Sequence, residues 1–326
     1  MTRFRPGGTA TREQAGPSSY SIPRRLVIAC SAFAGVGLVV FALSSLAGSS
    51  GMTPTASTVR SYVALGDSFT AGPGIPLQLG PGTRPVAPSG CLRSSDNYPS
   101  LTARALGLNL RDASCSGATT RDLTASQGPG IPPQLSLLRS STSLVSLGIG
   151  GNDLGFSTIA ENCVAVTPWG ATRMGWSCKS HYTAKGVDQL AVAVQRVGSK
   201  VATALEEIRA RAPRARVFVV GYPDLLPPSG SGCWPVLPFS AHDLGYLRGV
   251  ETRLDSTLAG VASAAHDVYV DMATPSAPHS ACTAAGSRWV DPILVSSDGY
   301  PLHPSAVGMA GMARVLERAI GPVGPR

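Results

Sequence analysis

The sequence predicts an α/β domain with a central, mainly parallel five-stranded sheet, covered on both faces to make three layers. Three observations carry this. Short apolar, β-branched runs recur at 61–65, 108–113, 143–147, 216–220 and 268–271. Long helical patterns fall between and after them. Strands alternating with helices return parallel to one another and bury both faces of the sheet.

The first run, Ser61 to Leu65, leads straight into Gly66-Asp67-Ser68-Phe69. The clearest helix covers 187–211, where Leu190, Val194, Val197, Val201, Leu205 and Ile208 recur at three- and four-residue steps. Ala212-Pro213 ends it. The stretch 241–265 repeats the theme with Leu244, Leu247, Val250, Leu254, Leu258 and Val261, and a last helix is expected over 305–320. Three segments, 73–97, 156–186 and 224–239, lack clear periodicity and hold cysteines. Long loops of this kind are usually functional, so they are expected to wall a pocket above the sheet.

The first 60 residues read differently. Residues 1–25 form a basic tail whose Gly, Pro, Ser, Thr and Arg content predicts disorder. Arg24 and Arg25 precede an uncharged apolar stretch, 26–47, long enough to span a bilayer. It reads either as a signal peptide cleaved after the small residues Ser45 and Ala47, with a twin-arginine variant of that, or as an uncleaved signal-anchor. Residues 48–59 link it to the first strand, and in every version the remainder, 60–326, is exported, secreted or anchored outside the membrane.

The cysteines agree with export. Setting aside Cys30 in the apolar stretch leaves Cys91, Cys115, Cys163, Cys178, Cys233 and Cys282, an even number that implies disulfides. None forms a close Cys-x-x-Cys pair, so no metal site is expected. Sequence does not fix the pairing; joining neighbours (91 with 115, 163 with 178, 233 with 282) closes one Gly- and Pro-rich loop with each bridge. The net charge of +8 owes half its value to the basic tail, where five arginines face one glutamate. No run of Lys or Arg interleaved with aromatics follows, which argues against nucleic-acid binding.

A buried strand that delivers a serine into a glycine-bounded turn is how α/β hydrolases present a nucleophile. Taken alone, Ser68 reads better as a structural serine in a turn than as a nucleophile. Ser116-Gly117-Ala118 follows the second strand, however, and Gly150-Gly151-Asn152-Asp153 follows the third. All three then emerge at the carboxyl edge of one sheet, where such folds place their sites. Glycine lets backbone N–H groups approach a ligand, and an asparagine amide is a neutral donor, as an oxyanion hole requires. His303, in Leu302-His303-Pro304 at the start of the last helix, can reach back over that edge as a base. His181, His242 and His266 read as surface or core residues, and His279 beside Cys282 is the reserve candidate. Asp67 and Asp153 read as turn anchors. Trp169, Trp176, Trp234 and Trp289 lie in or near the loops, either lining an acyl pocket or packing around the disulfides.

In order and placement, Gly66-Asp67-Ser68, Gly117, Gly150-Gly151-Asn152-Asp153 and His303-Pro304 resemble the SGNH hydrolases, also called GDSL lipases and esterases, over residues from about 60 to 320. The six cysteines resemble the secreted actinobacterial branch of that family. The resemblance implies a flavodoxin-like three-layer fold and a serine esterase or lipase that acts on lipid, phospholipid or short acyl esters without a cofactor. It implies Ser68 as nucleophile, His303 as general base and acid, and Ser68 N–H, Gly117 and Asn152 as oxyanion donors. A monomer is expected, with membrane association through 26–47. The rival readings are a carbohydrate O-deacetylase on the same residues and a non-catalytic envelope binding protein.

One departure stands out. The family often places an aspartate three residues before the histidine, and here that position is Tyr300. Either Asp298 loops round to hold the imidazole, or the backbone carbonyl of Tyr300 does.

Overall fold

The computed structural model describes residues 60–165, 176–184, 186–228 and 232–322. The basic tail, the apolar stretch 26–47, the linker and Trp169 lie outside them. Among the described residues no helix is long and apolar enough to cross a membrane.

In chain order the elements are β1 (Ser61–Gly66), α1 (Ser68–Ala71), α2 (Tyr98–Leu106), β2 (Asn109–Asp112), β3 (Leu144–Gly148), α3 (Gly151–Leu154), α4 (Phe156–Cys163), α5 (Cys178–Thr183), α6 (Gln189–Arg211), β4 (Arg216–Val220), α7 (Ala241–Ala264), β5 (Val268–Val270), α8 (Ala273–Ser276) and α9 (Ala306–Ile320). Single 3-10 turns interrupt the connections. All neighbouring strands pair in parallel, in the order β2-β1-β3-β4-β5. The predicted parallel α/β/α architecture is therefore the observed one.

Alternation along the strands sends side chains to two cores. Val63, Leu65, Val145, Leu147, Val217 and Val219 meet the apolar stripes of α6 and α7. Tyr62, Ala64, Leu144, Phe218 and Val220 meet α9, through Met309, Met312 and Leu316, and Ala103 of α2. Each long helix starts on a side-chain cap: Asp188 accepts from Leu190 and Ala191 N–H, Ser240 from Asp243 N–H, and Ser305 from Gly308 N–H.

The segment 156–186 differs from expectation, because it contains the short helices α4 and α5. Each buries only two residues, Ile159 and Cys163 in α4, Cys178 and Tyr182 in α5. That is too little apolar repeat to register as a helical period. Their partner in stability is the Cys163–Cys178 bridge that joins them. The other bridges are Cys91–Cys115 and Cys233–Cys282.

Register decides where the site forms. Gly66, the last residue of β1, pairs with Gly148, the last of β3. On the other side, Cys115 N–H donates to the Gly66 carbonyl at 3.0 Å. The segments after β1, β2 and β3 therefore leave the sheet side by side. The chain passes from β1 to β2 on one flank and then to β3 on the other, the topological switch point where open α/β sheets leave a crevice.

Candidate active site

Ser68 begins the single turn α1, with Asp67 as its cap: Oδ1 of Asp67 accepts from Phe69 N–H at 2.9 Å. The tight exit from β1 needs glycine at 66. A Cβ there would strike Thr70 Oγ1 and the Gly148 carbonyl. Buried Gln134 clamps the same residue from outside the strand: its amide accepts from Gly66 N–H at 2.8 Å and donates to the Gly66 carbonyl at 2.9 Å.

The Gly150–Asn152 turn is tied to this unit by Tyr222, which follows β4. Its buried hydroxyl accepts from Gly151 N–H at 2.8 Å and donates to Asp67 Oδ2 at 2.6 Å. Burial pushes the Asp67 carboxyl up to about 7, although the Tyr222 and Phe69 hydrogen bonds pull it down. Asp153 anchors the same turn to the segment after β2. Its oxygens accept from Thr120 N–H and Thr120 Oγ1, each at 2.8 Å, and from Lys200 Nζ at 2.9 Å. Asn152 Nδ2 donates to the Ala118 carbonyl at 2.9 Å, which brings its amide against the Gly117 loop. Gly117 takes the left-handed conformation there, with φ +78°. Among the described residues, neither Ser68 N–H nor Gly117 N–H has an acceptor.

His303 arrives from the far end of the chain. Its Nε2 is 2.8 Å from Ser68 Oγ, and its Nδ1 is 2.9 Å from the Pro301 carbonyl. That carbonyl can only accept, so Nδ1 carries the proton and Nε2 faces the serine as the acceptor. The ring sits 5.1 Å from Phe69 and 6.4 Å from Phe156. Burial holds its pKa below the usual histidine value, while the bond to Pro301 works the other way.

Neither group named in the sequence as the ring's support holds it. Asp298 Oδ1 accepts from Ala306 N–H at 3.0 Å, where it caps α9. The Tyr300 carbonyl accepts the His303 backbone N–H at 3.0 Å. The turn this closes carries the chain past Tyr300, so the carbonyl one residue later meets the imidazole. The reserve candidate His279 stacks on Trp289 instead.

The loop that presents His303 is organised by a residue not recognised from sequence. Fully buried Asp291 accepts from Arg288 Nε at 2.8 Å, Ser297 Oγ at 2.6 Å and Gly299 N–H at 2.9 Å. Burial alone would raise its pKa; the hydrogen bonds from Ser297, Gly299 and Arg288 outweigh that and lower it. The Asp291 backbone also pairs with Leu302 and His303 on both sides, N–H to the His303 carbonyl and carbonyl to the Leu302 N–H.

Beside Ser68 opens a cavity of about 860 Å³, counting its open mouth. Asn152, Leu154, Phe156, Ile159, Leu226 and Phe239 are among its walls. Trp176, Trp234 and Trp289 are not. The segments 156–186 and 224–239 contribute walls, as expected, beside α7 and the turns that carry Ser68 and Asn152; the segment 73–97, expected to join them, contributes none.

Residues 64–310 match the GDSL-like lipase/acylhydrolase family. The chain belongs to this family. Lipase 2 of Streptomyces coelicolor is 36% identical over 274 residues, which are 82% of this chain and 88% of that protein. Lipase 1 of the same organism is 31% identical, over 77% of this chain and 82% of its own. Among solved structures, phospholipase A1 from Streptomyces albidoflavus NA297 superposes with a TM-score of 0.65 and 28% identity, covering 80% of this chain and 99% of that one. The extracellular lipase of Streptomyces rimosus gives 0.64 and 26% over 80% and 100%. As a GDSL-like acylhydrolase, the protein is an enzyme that hydrolyses acyl esters.

Proposed function

We propose that this protein is an exported lipase or esterase that works through a Ser68–His303 dyad, with the Pro301 carbonyl in place of a third side chain. One observation carries the reading: Ser68 Oγ and His303 Nε2 stand 2.8 Å apart at the mouth of an apolar cavity. His303 takes the Ser68 proton as Oγ attacks the ester carbonyl. Negative charge on the former carbonyl oxygen is met by the Ser68 N–H, the Gly117 N–H and the Asn152 amide. Collapse of the tetrahedral intermediate breaks the ester C–O bond, and His303 returns its proton to the departing alkoxide. Water then adds to the acyl-serine, giving a proton to His303, and the acid leaves as Ser68 regains its hydrogen.

The cavity favours a lipid acyl chain over a lone acetyl group. Its Leu, Ile and Phe lining suits methylenes, each worth about 0.8 kcal/mol on burial. The six paired cysteines and the apolar stretch 26–47 ahead of the domain support an enzyme that works outside the cell. The test is hydrolysis of short- and long-chain p-nitrophenyl esters by wild type and Ser68→Ala. Activity that survives in Ser68→Ala removes the mechanism. A wild type that stops at acetate or propionate makes the enzyme a deacetylase.

A further inference from the structure

One wall of the cavity is out of character. Leu247, Val250 and Leu254 of α7 line it, and so do Glu251 and Asp255, one helical turn apart. Asp255 is committed: its Oδ1 accepts from Tyr222 N–H at 2.9 Å and from the Tyr269 hydroxyl at 3.0 Å. Glu251 is favoured as an anion by the Leu225 backbone and by Arg248. Among the described residues no cation forms an ion pair with it. An apolar residue at 251 would continue the stripe, and a carboxyl on an apolar wall costs free energy unless something pairs with it.

Glu251 lines the cavity, and its surroundings bias the carboxyl toward the protonated form. Burial raises its pKa far above the ordinary glutamate value, and Asp224 and Asp255 add to this, while Leu225 N–H and Arg248 oppose it. A neutral carboxyl offers an O–H to donate and a carbonyl to accept, in a space otherwise built of hydrocarbon.

We propose that Glu251 is a specificity-determining residue of the acyl pocket, hydrogen-bonding a hydroxyl carried along the acyl chain, so that hydroxylated acyl groups are preferred over plain alkyl ones. This rests on Ser68 as the nucleophile and on the cavity as the acyl site. A hydroxyl matches this carboxyl because it donates to a carboxyl oxygen and accepts from the acid's own O–H. An ammonium would have to shed its water into an apolar space, which is far more costly.

The test uses the full-length enzyme and methyl esters of medium-chain acids, unsubstituted and with one hydroxyl or one amino group at successive chain positions. Wild type is expected to hydrolyse at least one hydroxylated ester with kcat/KM about five- to tenfold above its plain counterpart, the gain lying mainly in KM. Glu251→Gln keeps that preference, and Glu251→Leu reverses it. A wild type that favours the plain chain against every hydroxylated isomer, or favours the amino ester, overturns the proposal. So does an unchanged ratio in Glu251→Leu. The first comparison needs wild type alone, so poor folding of the leucine variant does not rescue the idea. If no ester is cleaved in a Ser68-dependent way, the catalytic reading itself falls, and this inference with it.

Discussion

The Tyr222 hydroxyl donates to Asp67 at 2.6 Å while it accepts the Gly151 N–H at 2.8 Å. One buried oxygen thus joins the turn that carries Ser68 to the turn that carries Asn152. Its ring packs edge-on against Phe69, with centroids 5.0 Å apart. Ser68 and Asn152, the proposed nucleophile and oxyanion donor, are held in register by a side chain that belongs to neither turn.

Replacing Tyr222 with Phe keeps the ring and removes the link. Because small misplacements of reacting groups are costly, kcat is expected to fall about tenfold, with KM nearly unchanged. Thermal denaturation should show a loss of only a few degrees. Lower stability with an unaltered kcat would assign Tyr222 to packing alone.

The pH profile follows from His303. A protonated imidazole cannot take the serine proton, so activity is lost as pH falls through the native pKa. Burial lowers that pKa below the ordinary histidine value of 6.5. The acid limb of kcat/KM should therefore have its midpoint under 6.5 and a plateau at neutral pH. A midpoint above 6.5 would mean that a carboxylate supports the ring after all.

Asp298→Ala separates a dyad from a triad. Loss of a true third member costs about 10⁴ in kcat. Here Asp298 caps α9 through Ala306 N–H, so kcat should stay within about threefold while stability drops by about 1 kcal/mol. Steady-state kinetics beside urea unfolding distinguishes the two.

Asp291→Ala should be the more damaging change, although Asp291 touches no substrate. It leaves the Arg288 guanidinium, 8% exposed, without its carboxylate, a defect worth about 3–5 kcal/mol when a buried pair is broken. Its native pKa is lowered, so the stabilisation it provides is present above the unfolded carboxylate value and fades as pH falls through the native one. Urea midpoints of wild type and variant should therefore differ at neutral pH and converge in acid. A constant gap down to low pH would show that the carboxylate charge is not what matters.

Much of the site could be read in the sequence because its parts are local. A strand's apolar run, a glycine where the chain turns, and a histidine before a capped helix are each visible within a few residues. Ser68, Gly117, Asn152 and His303 were named in this way, and parallel topology brings them to one sheet edge. Of the supports, Asp67 and Asp153 were legible as turn anchors, but Tyr222 and Gln134 were not. Tyr222 and Asp67 are 155 positions apart, and Gln134 lies 68 from Gly66. Tyrosine after an apolar strand and glutamine in a turn carry no signature of such reach.

By itself, then, the sequence determined the α/β alternation, the two amphipathic helices and the residues able to do ester chemistry, because these depend on periodicity and residue type. Only the tertiary structure decided what holds His303. Every residue has a carbonyl, so the choice of Pro301 over Tyr300 or Asp298 is made by the turn that Asp291 fixes from within the fold. It also decided that Glu251, one acid among many on helix surfaces, lines the same cavity as Ser68.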